Sequence, residues 1–105
     1  MWIMTNKGFV SIVKDRRIKD NLMVRARHKG HIEALFDGYI TAYTPDADYA
    51  YRASIPKSVV AAVMVDLPDT VDYDNFKNSV SDKPLHDAYM DVWRAMYRYQ
   101  ASYNQ

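Results

Sequence analysis

The sequence predicts an α+β fold: a mostly antiparallel sheet of four or five strands, made from two ββα-like units, with a long C-terminal helix. Three observations lead there. From Leu22 to Arg27 the residues alternate, with Leu22, Val24 and Ala26 on one side and Met23, Arg25 and Arg27 on the other, as a strand with one buried face requires. The period then changes, and Ile32, Leu35 and Phe36 recur at helical spacing. A degenerate copy follows: Tyr51-Arg52-Ala53 lines up with Val24-Arg25-Ala26, and Val59, Val60, Val63, Met64 and Leu67 supply a second helical stripe.

Each element has a local reason. Trp2 to Thr5 reads as a short strand, and Asn6-Lys7-Gly8 supplies a turn. Phe9 to Lys14 is β-branched and aromatic, a second strand. Asp15 to Asn21 is a charged hairpin connection into the strand Leu22 to Arg27. A helix from Gly30 to Phe36 ends at Asp37-Gly38, with glycine in its usual place after the last turn. Tyr39 to Thr44 and Tyr49 to Ile55 read as strands joined by the turn Pro45-Asp46-Ala47-Asp48. Pro56 suits the first position of a helix reaching Leu67, and Pro68 stops it.

After one helical turn around Asn75-Phe76-Lys77, Ser81-Asp82-Lys83-Pro84 reads as the capped start of a helix from Leu85 to Ser102. Along it Leu85, Tyr89, Val92, Met96, Tyr99 and Tyr103 alternate steps of four and three, and Trp93 and Tyr97 widen the stripe. The expectation is packing on the core with Trp93 buried; the alternative is the seam of a homodimer.

A chain of 105 residues suits one domain, 1–105. It contains no Cys, which excludes a disulfide framework, a thiolate metal site and a Cys nucleophile. No apolar run reaches the roughly 20 residues of a membrane helix, and the N-terminus lacks the features of a signal peptide; a cytoplasmic protein without a membrane partner is expected. Net charge is +1 but unevenly placed: residues 1–37 hold eight Lys/Arg against four Asp/Glu, and residues 38–105 six against nine. That asymmetry argues against a generic DNA-coating protein and fits a local anion-binding patch.

Catalytic signatures are sparse. His28, His31 and Glu33 are close in sequence but fall short of a converging zinc set. Asp66, Asp69, Asp72 and Asp74 lack the Gly and closing Glu of a calcium loop, and capping by Asp69 or Asp74 accounts for them better. With three Gly in the chain there is no phosphate loop and no nucleophile elbow. No catalytic residue, metal or cofactor is assigned. The surface that stands out is on the sheet: parity puts Arg25, Arg27 and Arg52 on one face, joined by Tyr39 and Tyr43 if Ile40 and Ala42 point inward. Arginine forks bind phosphate or carboxylate, and tyrosine offers a stacking plane. The competing expectation is that the last helix lies across this face.

The chain resembles a small uncharacterised family of bacterial and phage-encoded proteins. Carrying the resemblance are Met1-Trp2, Thr5, Gly8-Phe9 and Ser11-Ile12-Val13; then Val24-Arg25-Ala26-Arg27, Glu33, Asp48-Tyr49 and Tyr51-Arg52; and finally Asp72-Tyr73, Asn75-Phe76-Lys77, Tyr89, Trp93 and Met96-Tyr97. The similarity spans almost the whole chain and rests on spaced aromatics rather than a catalytic signature. It implies a self-contained, phage-borne domain and supplies no catalytic residues. The leading expectation is therefore a non-catalytic binding protein acting by protein–protein contact, an anti-CRISPR-like inhibitor of a host or defence component. Nucleic-acid binding through the Arg/Tyr sheet face comes second, and a small enzyme third.

Overall fold

The computed structural model describes residues 1–104. They fall into two compact units, Met1–Asp72 and a second beginning at Tyr73.

The first unit is an antiparallel five-stranded sheet with two helices. In chain order these are β1 (Trp2–Thr5), β2 (Gly8–Lys14), β3 (Asn21–Ala26), α1 (Lys29–Glu33), β4 (Ala42–Tyr43), β5 (Tyr51–Pro56) and α2 (Lys57–Asp66). The sheet order is β1-β2-β3-β5-β4. Strands β2 and β3 with α1, and β4 and β5 with α2, are the two ββα units that the sequence pattern predicts. They meet where β3 pairs with β5, and Arg25 lies directly opposite Arg52. The aligned arginines of the two copies are thus cross-strand partners. In the sheet order β2 flanks β3 as β4 flanks β5.

Alternation sorts the side chains. Val10, Ile12, Val24, Ala26, Ala53 and Ile55 point to one face and form the core with Ile32 and Phe36 beyond β3 and Val60 of α2. Each of these is at most 4% exposed. The opposite face carries Phe9, Ser11 and Val13 of β2, Met23 and Arg25 of β3, and Arg52 and Ser54 of β5, as the pairings Ser11↔Arg25, Val13↔Met23 and Met23↔Ser54 require.

The turns have local causes. Thr5 Oγ1 accepts the N–H groups of Lys7 and Gly8, both at 3.2 Å, and closes the β1–β2 hairpin. In the β2–β3 hairpin Asp15 Oδ1 accepts the N–H groups of Arg17 (2.8 Å) and Ile18 (3.1 Å), and Asp20 adopts φ 65°, a conformation Asp tolerates better than most residues. Pro56 ends β5 and is the N-cap of α2 rather than its first helical residue. Two elements are shorter than expected. The helix after β3 stops at Glu33, with the Leu35 and Phe36 N–H groups still donating to the Ile32 carbonyl in the turn that follows. The strand before β5 shrinks to Ala42–Tyr43, because the chain turns at Gly38 with φ 89° and only two residues reach β5.

In the second unit, a 3₁₀ turn at Lys77–Ser79 precedes α3 (Lys83–Tyr103). Asn75 Oδ1, rather than Asp69 or Asp74, accepts the Asn78 N–H at this turn. Asp82 caps α3 by accepting the Leu85 N–H at 3.3 Å, and Pro84 sits in the first turn, where its missing N–H costs nothing. Tyr89 is buried and stacks on Phe76 at 5.5 Å; burial pushes its phenol up to about 12. From Asp91 to Asn104 every residue of α3 and its C-cap is exposed. The expected burial of Trp93 does not hold: it is 46% exposed, stacks on Tyr97 at 5.3 Å and carries the Lys77 ammonium 5.1 Å from its ring centre.

Gly8 opens β2 against α1. A Cβ there would lie 2.5 Å from His31 Cγ and 2.7 Å from His31 Cβ, atoms too near the backbone to swing aside. His31 Nδ1 in turn accepts the Phe9 N–H at 3.2 Å. Gly8→Ala is expected to cost about 1–3 kcal/mol in a denaturant melt. The cost should shrink in a His31→Ala background, and equal costs in both backgrounds would refute the steric cause.

Candidate anion-binding face of the sheet

Arg25 is the centre of the outer sheet face. On one side it faces Ser11 and on the other Arg52. Its Nη2 donates to Ser11 Oγ at 2.8 Å. Its guanidinium carbon lies 4.6 Å from the centre of the Tyr49 ring. Nε is buried without a hydrogen-bond partner. No carboxylate pairs with it among the described residues. Arg52 has one such partner, Asp48 at 3.2 Å, and the Asp48 side chain is 69% exposed; a pair of that kind contributes about 0–1 kcal/mol. Two like charges directly opposite on neighbouring strands are unfavourable unless something anionic lies near them.

Arg27 lies one residue beyond β3 and joins the same face. Its guanidinium stands 4.2 Å from the Tyr49 ring centre and 5.8 Å from that of Phe9. Tyr49, only 4% exposed, is thus flanked by both arginines. The loop before β5 holds it there: Thr44 Oγ1 donates to the Tyr49 carbonyl at 3.0 Å, and the Tyr49 N–H donates to Asp48 at 3.0 Å.

The three predicted arginines therefore share a face, but Tyr39 and Tyr43 do not join them. Tyr39 packs against the core cluster. Tyr43 is the register partner of Tyr51, on the core-side parity, and meets that ring at 5.1 Å. The residue of β4 opposite Arg52 is Ala42. The expectation fails because the chain from Gly38 to Thr41 is not extended into the sheet, so strand parity does not carry back through it. Tyr49 takes the aromatic place, and its odd number matches the core-facing residues of β5. Bends at 47–50 turn it over, and nothing in the alternation signals that. Ser11 was legible, since it falls between Val10 and Ile12 on the outer parity.

A cavity of about 650 Å³ lies on this face, lined wholly by residues of the first unit. Met23, Arg25, Arg52 and Ser54 contribute from β3 and β5. Lys14, Asp15, Arg16 and Arg17 contribute from the end of β2 and the hairpin, and the exposed Ile40 with Ala42 from the segment at β4. The cavity thus counts five cationic side chains and one carboxylate. That carboxylate is already engaged. Ser54 Oγ donates to Asp15 Oδ2 and itself accepts from Asn21 Nδ2 at 2.9 Å. The Ser54 hydroxyl, then the Arg17 and Ile18 N–H groups, hold the Asp15 carboxyl below its ordinary value, with the Arg17 charge adding to them against the cost of burial.

His28 and His31 have structural roles. His28 Nδ1 caps α1 by accepting the Gly30 N–H at 3.1 Å, and Glu33 pairs with Lys29 at 3.6 Å. Among the described residues no three metal-ligating side chains converge, and no helix is long and apolar enough to cross a membrane. Searches against family models, curated proteins and solved structures found no match for the chain.

Two outcomes follow for stability. Arg25→Ala uncovers Tyr49 and orphans Ser11, so it should cost about 1–3 kcal/mol, whereas Arg52→Ala should cost under about 1 kcal/mol; equal losses in urea titrations would contradict the unequal roles. Asp15 is depressed in the folded state, so its stabilisation is present above its unfolded pKa of about 4 and lost as pH falls through the lower folded value. Asp15→Asn should lower the melting temperature at pH 7, with the gap to wild type closing under acid conditions. A gap independent of pH would show that the charge is not what Asp15 contributes.

Proposed function

We propose that this is a non-catalytic binding protein that engages a protein partner through the exposed stripe of α3. One observation carries the reading: Val92, Trp93, Met96, Tyr97, Tyr99 and Tyr103 are each between 39% and 77% exposed on a single helix. Tryptophan, tyrosine and methionine are the residue types enriched where proteins meet, and exposed patches of them mark interaction sites. Helical spacing places Asp91, Arg94 and Arg98 away from the stripe, and Asp91 and Arg94 pair with each other at 2.9 Å. The stripe is therefore neutral and suits an apolar groove on the partner, the helix-in-groove mode. The finer reading, a phage-encoded, anti-CRISPR-like inhibitor of a host or defence component, rests on the resemblance in sequence.

Nucleic-acid binding by the arginine face stands second. Arg25, Arg27 and Arg52 favour it, and the exposed Trp2, register partner of Ser11 at the β1 edge, adds an aromatic plane to that face; but Tyr39 and Tyr43 lie elsewhere, and Arg25 and Arg27 occupy Tyr49.

The test is Trp93→Ala with Tyr97→Ala. Both side chains are exposed, so the melting temperature should shift by only a few degrees, while a partner retained from bacterial lysate by the wild-type protein should be lost. Equal retention by variant and wild type would remove α3 as the contact. A concentration-dependent dimer that the same double change dissolves would make the occupant a second copy of the chain, and the partner reading would fall.

A further inference from the structure

We infer that the cavity on the outer sheet face is a binding site for a phosphate monoester, a site separate from the α3 stripe. The charge balance comes first. Five cationic side chains line the cavity, and its one carboxylate is engaged by Ser54 and two backbone N–H groups. Arg25 has no acidic partner, and the single partner of Arg52 is an exposed aspartate. A fold that sets Arg25 and Arg52 directly opposite each other in register on paired strands and lines one cavity with both keeps like charges as neighbours, which an anion in the cavity would relieve.

Geometry then selects the anion. Cross-strand partners lie about 4.5–5.5 Å apart at their Cα atoms and both arginines line the cavity, so one tetrahedral group there can take the donors that Ser11 and Asp48 leave free. A carboxylate has two oxygens and one charge, which a single fork satisfies. A phosphate monoester is close to a dianion at neutral pH and has three terminal oxygens to share between two forks. Lys14, Arg16 and Arg17 on the adjacent hairpin add charge to the same cavity. Size and lining describe the rest of the ligand. At about 650 Å³ the cavity is far larger than a phosphate group and falls within the range of small-molecule sites. Val13, Met23, Ile40 and Ala42 form its apolar part, and Ile40 is 93% exposed. The expected ligand is a small organic phosphate with an apolar body that covers Ile40.

The experiment titrates the full chain by calorimetry with phenyl phosphate, inorganic phosphate, glutarate and an oligothymidylate lacking a terminal phosphate. Phenyl phosphate should bind saturably and more tightly than inorganic phosphate, because the ring gains the apolar wall. Arg52→Ala should weaken it about tenfold or more, as expected for losing one charge-assisted fork. Ile40→Ser should remove the preference for phenyl phosphate over inorganic phosphate. The Trp93→Ala, Tyr97→Ala variant should bind phenyl phosphate as wild type does, so this site can fail while the α3 reading stands, and the reverse. Tighter binding of glutarate or of the oligonucleotide than of phenyl phosphate would overturn the assignment, as would an Arg52→Ala protein, shown folded by circular dichroism, that binds phenyl phosphate unchanged.

Discussion

Antiparallel pairing of β3 with β5, in the register that sets Arg25 against Arg52, is the constraint on which the rest of the first unit depends. Side chains alternate across a sheet, so one register decides two surfaces at once. On one face it lays Leu22, Val24 and Ala26 beside Ile55, Ala53 and Tyr51, and α1 and α2 can cover a continuous apolar floor. On the other it makes the two arginines neighbours. A slip by one residue would bury the guanidiniums and expose the core, at a cost no loop could offset.

The basic face is thus a consequence of how the core is made. Similar strand patterns, paired antiparallel in this register, bring their matching arginines together. The protein tempers that charge without neutralising it. Tyr49 lies against Arg25 and Arg27 with its ring, and Ser11 accepts from Arg25. Asp48 pairs with Arg52 from an exposed position, while the carboxylate in the cavity, Asp15, is turned to Ser54 and the hairpin amides. There it ties the β2–β3 connection to β5 and contributes structure rather than charge compensation.

The second unit divides along its helix. The first two turns of α3 contain Leu85 and Tyr89, with Tyr89 stacked on Phe76. The later turns continue the same stripe with its side chains exposed. A periodic apolar stripe shows that a helix has a face to cover, not which molecule covers it. The Trp93–Tyr97 stack and the Lys77 ammonium near Trp93 cover those rings only in part, and both stay exposed.

By itself the sequence determined the α+β class, the two ββα units, the capped start of α3 and the sharing of one face by Arg25, Arg27 and Arg52. All of these follow from local rules: alternation, helical period and capping chemistry act within a few residues of the side chains concerned. Tertiary structure alone decided the aromatic company those arginines keep. Tyr39 and Tyr43 follow the outer parity only if the chain is extended from 39 to 44, and the turn at Gly38 leaves just Ala42 and Tyr43 in the sheet. Tyr49 reaches the face through bends that no periodicity records. The cavity likewise joins residues 14–17 to residues 52–54, and their meeting depends on long-range strand pairing. Burial of Trp93 failed as an expectation for the same reason: amphipathic period is a property of a helix, whereas burial is a property of what packs against it.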